Sequence, residues 1–355
     1  MEQLITGYFW GKGGFWRLSA SESLLFCERR GVIVTKSIVI RLIRVVTLLI
    51  GLSILTFSLI HLSPMDPVNA YIGGDSSASP EQIEKFKQYW GVDKSPVEQY
   101  FSWAGALLQG NFGTSMLYRS PVIDIIQSRF ATSLALMGMA WILSGVFGYM
   151  LGMTAAMNRG KAVDKIIKWY SYTLVSTPIF WMGLLLLIVF AVWLRWFPVG
   201  LAVPAGVLES DVQLIDRVRH FVLPALTLSI LGVANVAMHT REKMIDILNA
   251  EYIVFAKARG ESKWQIYKNH GLRNSIIPAI SLQFAYFGEL FGGSMLAEQV
   301  FAYPGLGSTL TTAGLKGDLP LMVGIILISS LFVFAGNLIA DILSKVVDPR
   351  MKGDG

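Results

Sequence analysis

The chain has 355 residues, 53% hydrophobic and 15% charged, with a mean hydropathy of +0.53. Soluble domains carry about a quarter charged residues, so the composition excludes an ordinary soluble domain and indicates a membrane protein. The formal net charge of +6 does not mark a nucleic-acid binder, because Arg and Lys fall in alternate loops between apolar runs, as the positive-inside bias requires.

In chain order, residues 1–35 mix aromatic, glycine and basic residues. Gly11-Lys12-Gly13-Gly14 has the look of a phosphate loop but lacks the Lys-Ser/Thr ending and a preceding apolar strand, so that reading is discarded. The segment is expected to be a floppy or interfacial arm with Trp10, Phe15 and Trp16 at the membrane surface. The single cysteine, Cys27, excludes an internal disulfide framework and a cysteine-based metal cluster. Arg29, Arg30, Lys36, Arg41 and Arg44 precede the first apolar run, which reads as a retained span and not as a cleaved signal.

Apolar runs recur at 45–62, 131–158, 169–194, 221–240, 275–297 and 319–340. A helix needs about 20 such residues to cross the hydrocarbon core, whereas barrel strands need roughly ten with alternation. The expectation is an all-α integral membrane protein with six transmembrane helices. Bases concentrate in the first segment, in the loop with Arg159, Lys161, Lys165 and Lys168, in the loop with Lys243 to Arg273, and in the tail with Lys345, Arg350 and Lys352. Both termini are therefore expected in the cytoplasm. The loop 195–220, with charges of both signs, fits this rule least well.

Loop 63–128 is long and rich in carboxylates. Two helical stretches are expected in it, one from Pro80 to about Trp90 with Ser79 in the cap position and one over Pro96–Leu108, making a small ordered cap on the outer face. Gly148 with Gly152 and Gly288 with Gly292 are small-residue pairs of the kind that lets helices approach closely. Pro178 should kink the third run.

The segment 251–275 is basic, aromatic and broken by glycine. Helical spacing places Tyr252, Phe255 and Ala256 on one side; Gly260 stops that helix, and Trp264, Ile266 and Tyr267 begin another. Two such short helices need a surface on which to bury their apolar sides: either a partner groove or the membrane surface.

Glu289 lies inside the fifth run, where a carboxylate costs about 2.5–3.5 kcal/mol and should face protein or water. It reads either as a group lining a path or gate or as a hydrogen-bonded lock between helices. Glu298 lies nearer the outer end. The irregular stretch 300–307, with Phe301, Tyr303, Pro304 and Gly305, is expected to pack inside the outer mouth as part of a gate. The four histidines, His61, His220, His239 and His270, show no paired ligand spacing. Met137, Met139, Met150, Met153 and Met157 spread around their helix, which favours packing. No HExxH, nucleophile elbow or intramembrane Asp pair supports a membrane enzyme.

Glu251-Tyr252-Ile253-x-x-Ala256-Lys257-Ala258-Arg259-Gly260, followed by Arg273-Asn274-x-x-Ile277-Pro278, resembles the cytoplasmic coupling motif of binding-protein-dependent ABC importer permeases, closest to the branch handling peptides, opines and nickel. The Glu-Ala-Ala opening of the older consensus is absent, and the Tyr variant of this branch stands in its place. Ser63-Pro64-Met65-Asp66-Pro67-Val68 resembles the SPGDPV of that branch, with Met65 for the glycine. Gly110-Asn111-Phe112-Gly113-x-Ser115 with Pro121-Val122, Gly288-Glu289-Leu290-Phe291-Gly292-Gly293 through Gly307, and Asp348-Pro349-Arg350 resemble further motifs in order.

The resemblance covers 36–352 and implies a type I ABC importer permease fold and a transport subunit, not an enzyme. It implies docking of Glu251, Tyr252, Phe255, Ala256, Ala258, Gly260, Trp264, Tyr267 and Arg273 on a cytoplasmic ATPase. It also implies a path or gate at Glu289, Gly292, Glu298, Phe301, Tyr303, Pro304 and Gly305. No cofactor is expected in this chain, since no Walker motif is present; ATP and Mg would bind the ATPases. The implied partners are a second homologous permease, two ATPases, an extracytoplasmic solute-binding protein and the bilayer of a bacterial or archaeal cytoplasmic membrane. The implied organisation is an arm at 1–40, a first helix and ordered loop at 41–127, a five-helix core at 128–345 with coupling helices at 250–270, and a tail at 346–355. Di- or oligopeptide cargo is preferred, with a nickel or metal-chelate importer as the alternative and an ATP-independent channel or receptor as the rival of another class.

Overall fold

The computed structural model describes residues 8–11, 14–17, 43–59, 61–62, 81, 84 and 94–347. The chain divides into two compact units, Met1–Ile54 and Leu55–Gly355. In the first, strands β1 (Tyr8–Gly11) and β2 (Gly14–Arg17) pair antiparallel with Trp10 opposite Phe15 and Gly11 opposite Gly14. Part of the stretch expected to be a floppy arm is thus a pair of antiparallel strands, rich in the aromatic residues that favour strands. Helix α1, Ile43–Leu59, straddles the division between the units.

In the second unit, α2 (Pro96–Leu108) forms where the loop was expected to be helical. Ser95 and Glu98 make a capping box, the Ser95 Oγ accepting from the Glu98 amide at 3.3 Å and the Glu98 carboxylate accepting from the Ser95 amide at 3.1 Å, with Pro96 at the first helical position. Phe57 packs edge-on against Tyr100 at 5.3 Å, and His61 Nε2 lies 3.1 Å from Gln99 Oε1, tying α2 to the end of α1. The helix expected near 80–90, and its cap at Ser79, lie largely outside the described residues.

Helices α3 (Val122–Met157) and α6 (Leu214–Leu248) form the most extensive helix pairing. Their contact is set by small residues. A Cβ at Gly148 would sit 2.7 Å from Val236 Cβ, and one at Gly152 would sit 2.5 Å from the Ala237 carbonyl oxygen. In lipid, where burying apolar area gives helices no advantage over each other, such close approach is the main source of attraction. Gly148 and Gly152 therefore pack within the chain. A Cβ at Gly288 would sit 3.2 Å from Val333 Cγ1, whereas one at Gly292 would meet nothing within 4 Å. Met137 is buried, while Met139 and Met150 are exposed.

Pro178 does more than kink the third run. Helix α4 (Ala162–Val175) ends before it, and α5 (Ile179–Leu186, continued as a π-helix over Leu187–Trp193) begins after it, with a bend of 106°. Proline disfavours helix at the residue before it and offers no amide, so the chain turns there. The fifth run also breaks: α9 (Arg273–Ala285) and α10 (Phe287–Val300) meet at Tyr286. Between α6 and α9 lie α7 (Glu251–Ala258) and α8 (Lys263–Ile266), the latter continuing as a π-helical turn over Tyr267–Leu272. Helices α11 (Leu306–Lys316) and α12 (Leu319–Val347) complete the unit.

All six apolar runs contain helix. By length and composition α3, α6 and α12 can cross a membrane, and α4 with α5 makes a fourth if the bent pair is one span. One core cluster joins Val122, Ile126 and Met137 to Phe291, Leu306 and Leu321; another joins Leu136 to Leu223, Leu228 and Phe301.

Gly152→Val is expected to destabilise the purified chain by about 1–3 kcal/mol, the usual range for overpacking, read as a lower melting temperature in detergent. Gly138→Val, where nothing lies within 4 Å, should leave the melting temperature unchanged.

Candidate functional site

The break at Tyr286 places Glu289 in the first turn of α10, where the helix dipole favours a carboxylate. The side chain opens onto a cavity of about 540 Å³ bounded by Trp141 and Ser144 of α3, Thr177 at the α4–α5 bend, Asn235 of α6, Gln283 of α9 and Tyr286 at the break. Leu228, Leu231, Leu290 and Leu296 supply apolar wall. Gln283 is buried, and its side-chain amide nitrogen is engaged twice. Its Nε2 donates to the Trp141 carbonyl at 2.6 Å and to Ser144 Oγ at 2.8 Å, and Trp141 Nε1 donates to the Gln283 carbonyl at 3.2 Å. This network pins α9 to α3. Glu289, by contrast, is exposed and has no ion-pair partner among the described residues.

The other path-or-gate residues lie apart from this cavity. Glu298 is fully buried. Its carboxylate accepts from Ser133 Oγ at 2.5 Å, from the Gly307 amide at 2.7 Å and from the Ser308 amide at 3.2 Å. Ser133 Oγ in turn accepts from the Leu306 amide at 2.8 Å. The Glu298 carboxylate lies against Gly305, where any side chain would collide with it. Phe301 and Tyr303 are buried in the same core cluster, and Arg129 Nη1 reaches the Pro304 carbonyl at 3.4 Å. Most of the stretch 300–307 is buried, and Glu298 does not line the cavity: it is a clasp holding the start of α11 to α3. Gly292 is exposed and lies outside the cavity lining.

In the segment 251–275, α7 has only eight residues and is held by a small core of Ile253, Ala256, Ile266 and Leu248. The expected side of Tyr252, Phe255 and Ala256 is therefore split. Ala256 faces inward, whereas Tyr252, Phe255 (70% exposed) and Trp264 (67% exposed) stay outside with Val254. Ile266 of the second short helix is buried. Glu251, Ala258, Gly260 and Arg273 are exposed, and Tyr267 is half-buried, its phenol pushed up by burial. Gly260 has φ +83°, a left-handed turn suited to glycine. Ser262 and Gln265 form the capping box of α8. Across the turn Glu261 accepts from Arg259 Nη2 at 2.7 Å and lies 3.0 Å from His270 Nε2. Burial raises the Glu261 carboxyl, but the His270 and Arg259 hydrogen bonds outweigh it and hold the group below the usual range.

Three buried polar links escaped the sequence reading. Asp164 of α4 binds Arg241 of α6 through both its oxygens, at 2.5 and 2.8 Å. Asp318 accepts from Ser115 Oγ at 2.5 Å and from the Leu117 amide at 2.9 Å, joining the turn before α3 to the start of α12. Ser133 clasps Glu298. Each joins residues far apart in sequence, so spacing carried no signal. The Ser262-x-x-Gln265 and Ser95-x-x-Glu98 boxes, in contrast, are visible motifs. His61, His220 and His270 each engage a separate local partner, namely Gln99, the Gly200 carbonyl and Glu261. Among the described residues no group of three or more His, Cys, Asp or Glu is placed to hold a metal ion.

Comparison with known proteins decides the family. Residues 148–353 match the family described as binding-protein-dependent transport system inner membrane component, and residues 34–137 match its N-terminal companion. The chain belongs to this family. The oligopeptide transport system permease protein AppB of Bacillus subtilis is 34% identical over 316 residues, 89% of this chain and 98% of that protein. The di/tripeptide transport system permease protein DppB of Pseudomonas aeruginosa is 33% identical over 85% of this chain and 94% of its own length. The glutathione transport system permease protein GsiC of Escherichia coli K12 is 33% identical over 88% and 97%. In fold, the chain is similar to one in the solved inward-facing MetNI methionine ABC transporter, with TM-score 0.50 at 15% identity over 64% of this chain and 97% of that one. This family member is accordingly a multi-pass inner-membrane transport component with an ABC importer permease fold. The hairpin at Tyr8–Gly11 and Gly14–Arg17 precedes the matched regions.

Glu298→Leu should leave Ser133 and the Gly307 and Ser308 amides without their acceptor, at ~1.5–3 kcal/mol for a lost hydrogen bond to a charged group. The readout is a lower melting temperature with new protease cleavage within 301–308. Glu289→Leu should change neither.

Proposed function

We propose that this permease forms the translocation path for di- or oligopeptides in an ATP-driven importer. A second homologous permease would complete the membrane domain, two cytoplasmic ATPases would bind ATP and Mg²⁺, and an external binding protein would deliver the cargo. Both termini would lie in the cytoplasm of a bacterial host. The observation that carries this reading is kinship over nearly full length with permeases named for oligopeptides, di/tripeptides and glutathione. The cavity beside Glu289 supports it: its volume is in the range of small-ligand sites, and its wall mixes apolar side chains with a few polar groups.

In this reading Phe255, Trp264, Tyr252 and Val254 form the apolar part of the surface that an ATPase grips, with Glu251, Ala258 and Arg273 beside them. Ile253, Ala256 and Ile266 keep the two short helices in place. Exposed aromatic side chains of this kind are typical anchors at interfaces. The segment is also fastened to the bundle. Met244 of α6 packs onto Gly271, and Tyr149 Oη of α3 lies 2.7 Å from Ser275 Oγ. Movement of the gripped surface would thus be passed to α3 and α6, and through them to the cavity wall, as expected of a bistable permease biased by nucleotide.

The double variant Phe255→Ala, Trp264→Ala should weaken capture of the ATPases by about tenfold or more, the scale of losing an interface anchor. Its melting temperature should stay unchanged. ATP-dependent uptake of trialanine into proteoliposomes holding the whole assembly should fall with it. Wild-type uptake by this variant, or trialanine flux through the permease without ATP, would contradict the proposal.

A further inference from the structure

The Glu289 cavity has a charge character that its place in a translocation path does not by itself require. Among the described residues, Glu289 is the one carboxylate in its lining, and neither Lys nor Arg lines it. The carboxylate accepts no hydrogen bond from the described residues, unlike Glu298, which is fully clasped. Two aromatic side chains, Trp141 and Tyr286, share the wall with Thr177 and Asn235. A carboxylate with aromatic faces and neutral polar groups in a recess suits an alkylammonium group, which takes charge attraction from the carboxylate and from the ring quadrupoles. The apolar remainder of the wall discourages an isolated anion.

We infer that this cavity is a cation-selecting station that receives an ammonium group of the passing peptide beside Glu289. The inference rests on the proposed peptide path. The ammonium group is either the free peptide amino terminus or a lysine side chain. A cleft of one sign raises the local concentration of the opposite charge by tenfold or more, so charge preference is measurable without knowing the natural cargo.

The test uses the assembled importer in nanodiscs. The chain has a single cysteine, so Cys27→Ser, with the cysteines of the partner subunits replaced or blocked beforehand, gives a background into which Asn235→Cys or, separately, Leu231→Cys is placed as reporter. The rates of modification by a cationic and an anionic methanethiosulfonate of similar size are compared. The expected result is a preference of about tenfold for the cationic reagent. That preference should fall to near unity in Glu289→Gln and reverse in Glu289→Lys, at both reporters and with unchanged melting temperatures. Trialanine should protect the reporter if the terminal ammonium is bound, N-acetyl-Ala-Lys-Ala if the side chain is bound, and N-acetyl-trialanine should protect in neither case. Modification at equal rates by both reagents, or equal protection by N-acetyl-trialanine, overturns the inference and leaves the path reading standing. A reporter that reacts with neither reagent in any nucleotide state overturns both.

Discussion

A carboxylate set among apolar helices must be surrounded by donors or left facing a wet space. Helix α10 carries one of each kind. Glu298 is enclosed by Ser133 and the amides of Gly307 and Ser308. Glu289 opens onto a cavity. The break at Tyr286 makes the second arrangement tolerable, since it puts Glu289 at a helix start, and the folding-back of 303–308 makes the first possible, since it supplies adjacent backbone donors. The cavity and the packed frame beside it thus depend on how a single short helix places its two carboxyl side chains.

The frame around that helix combines clusters of large apolar side chains with close backbone contact and buried polar links. Gly148 and Gly152 let α3 and α6 touch. Asp164 with Arg241 fixes α4 to α6, and Asp318 with Ser115 fixes α12 to the turn before α3. At the other extreme, the short helices α7 and α8 have a core of only a few residues and an exposed aromatic face. In the proposed function this contrast has a use: the bundle would carry displacement, and the small element with its exposed aromatic side chains would meet the partner.

Much of this was legible in the sequence. The six runs marked the helices, Pro96 the helix over 96–108 in the long loop, Gly260 the turn between α7 and α8, and the ordered motifs the family. What was not legible depended on tertiary context. Tyr286 carries no breaker of its own, and the break arises where Phe287 packs against Phe332 of α12 at 5.0 Å. Glu298 and Glu289 look equivalent as acids in an apolar stretch, and only the returning loop distinguishes them. Ala256 fell on the wrong side because the partner of α7 is Ile266, reached across the Gly260 turn. The strand pair Tyr8–Gly11 and Gly14–Arg17 was passed over because its glycine and aromatic residues were read for chemistry and not for strand propensity.

The most direct measurement is a cryo-electron microscopy structure of the whole assembly turning over ATP with trialanine present. The account predicts peptide density within the cavity bounded by Trp141, Tyr286 and Glu289 in at least one state, with the clasp at Glu298 intact. Peptide density confined to another route, with that cavity packed shut in both inward- and outward-facing states, would contradict it.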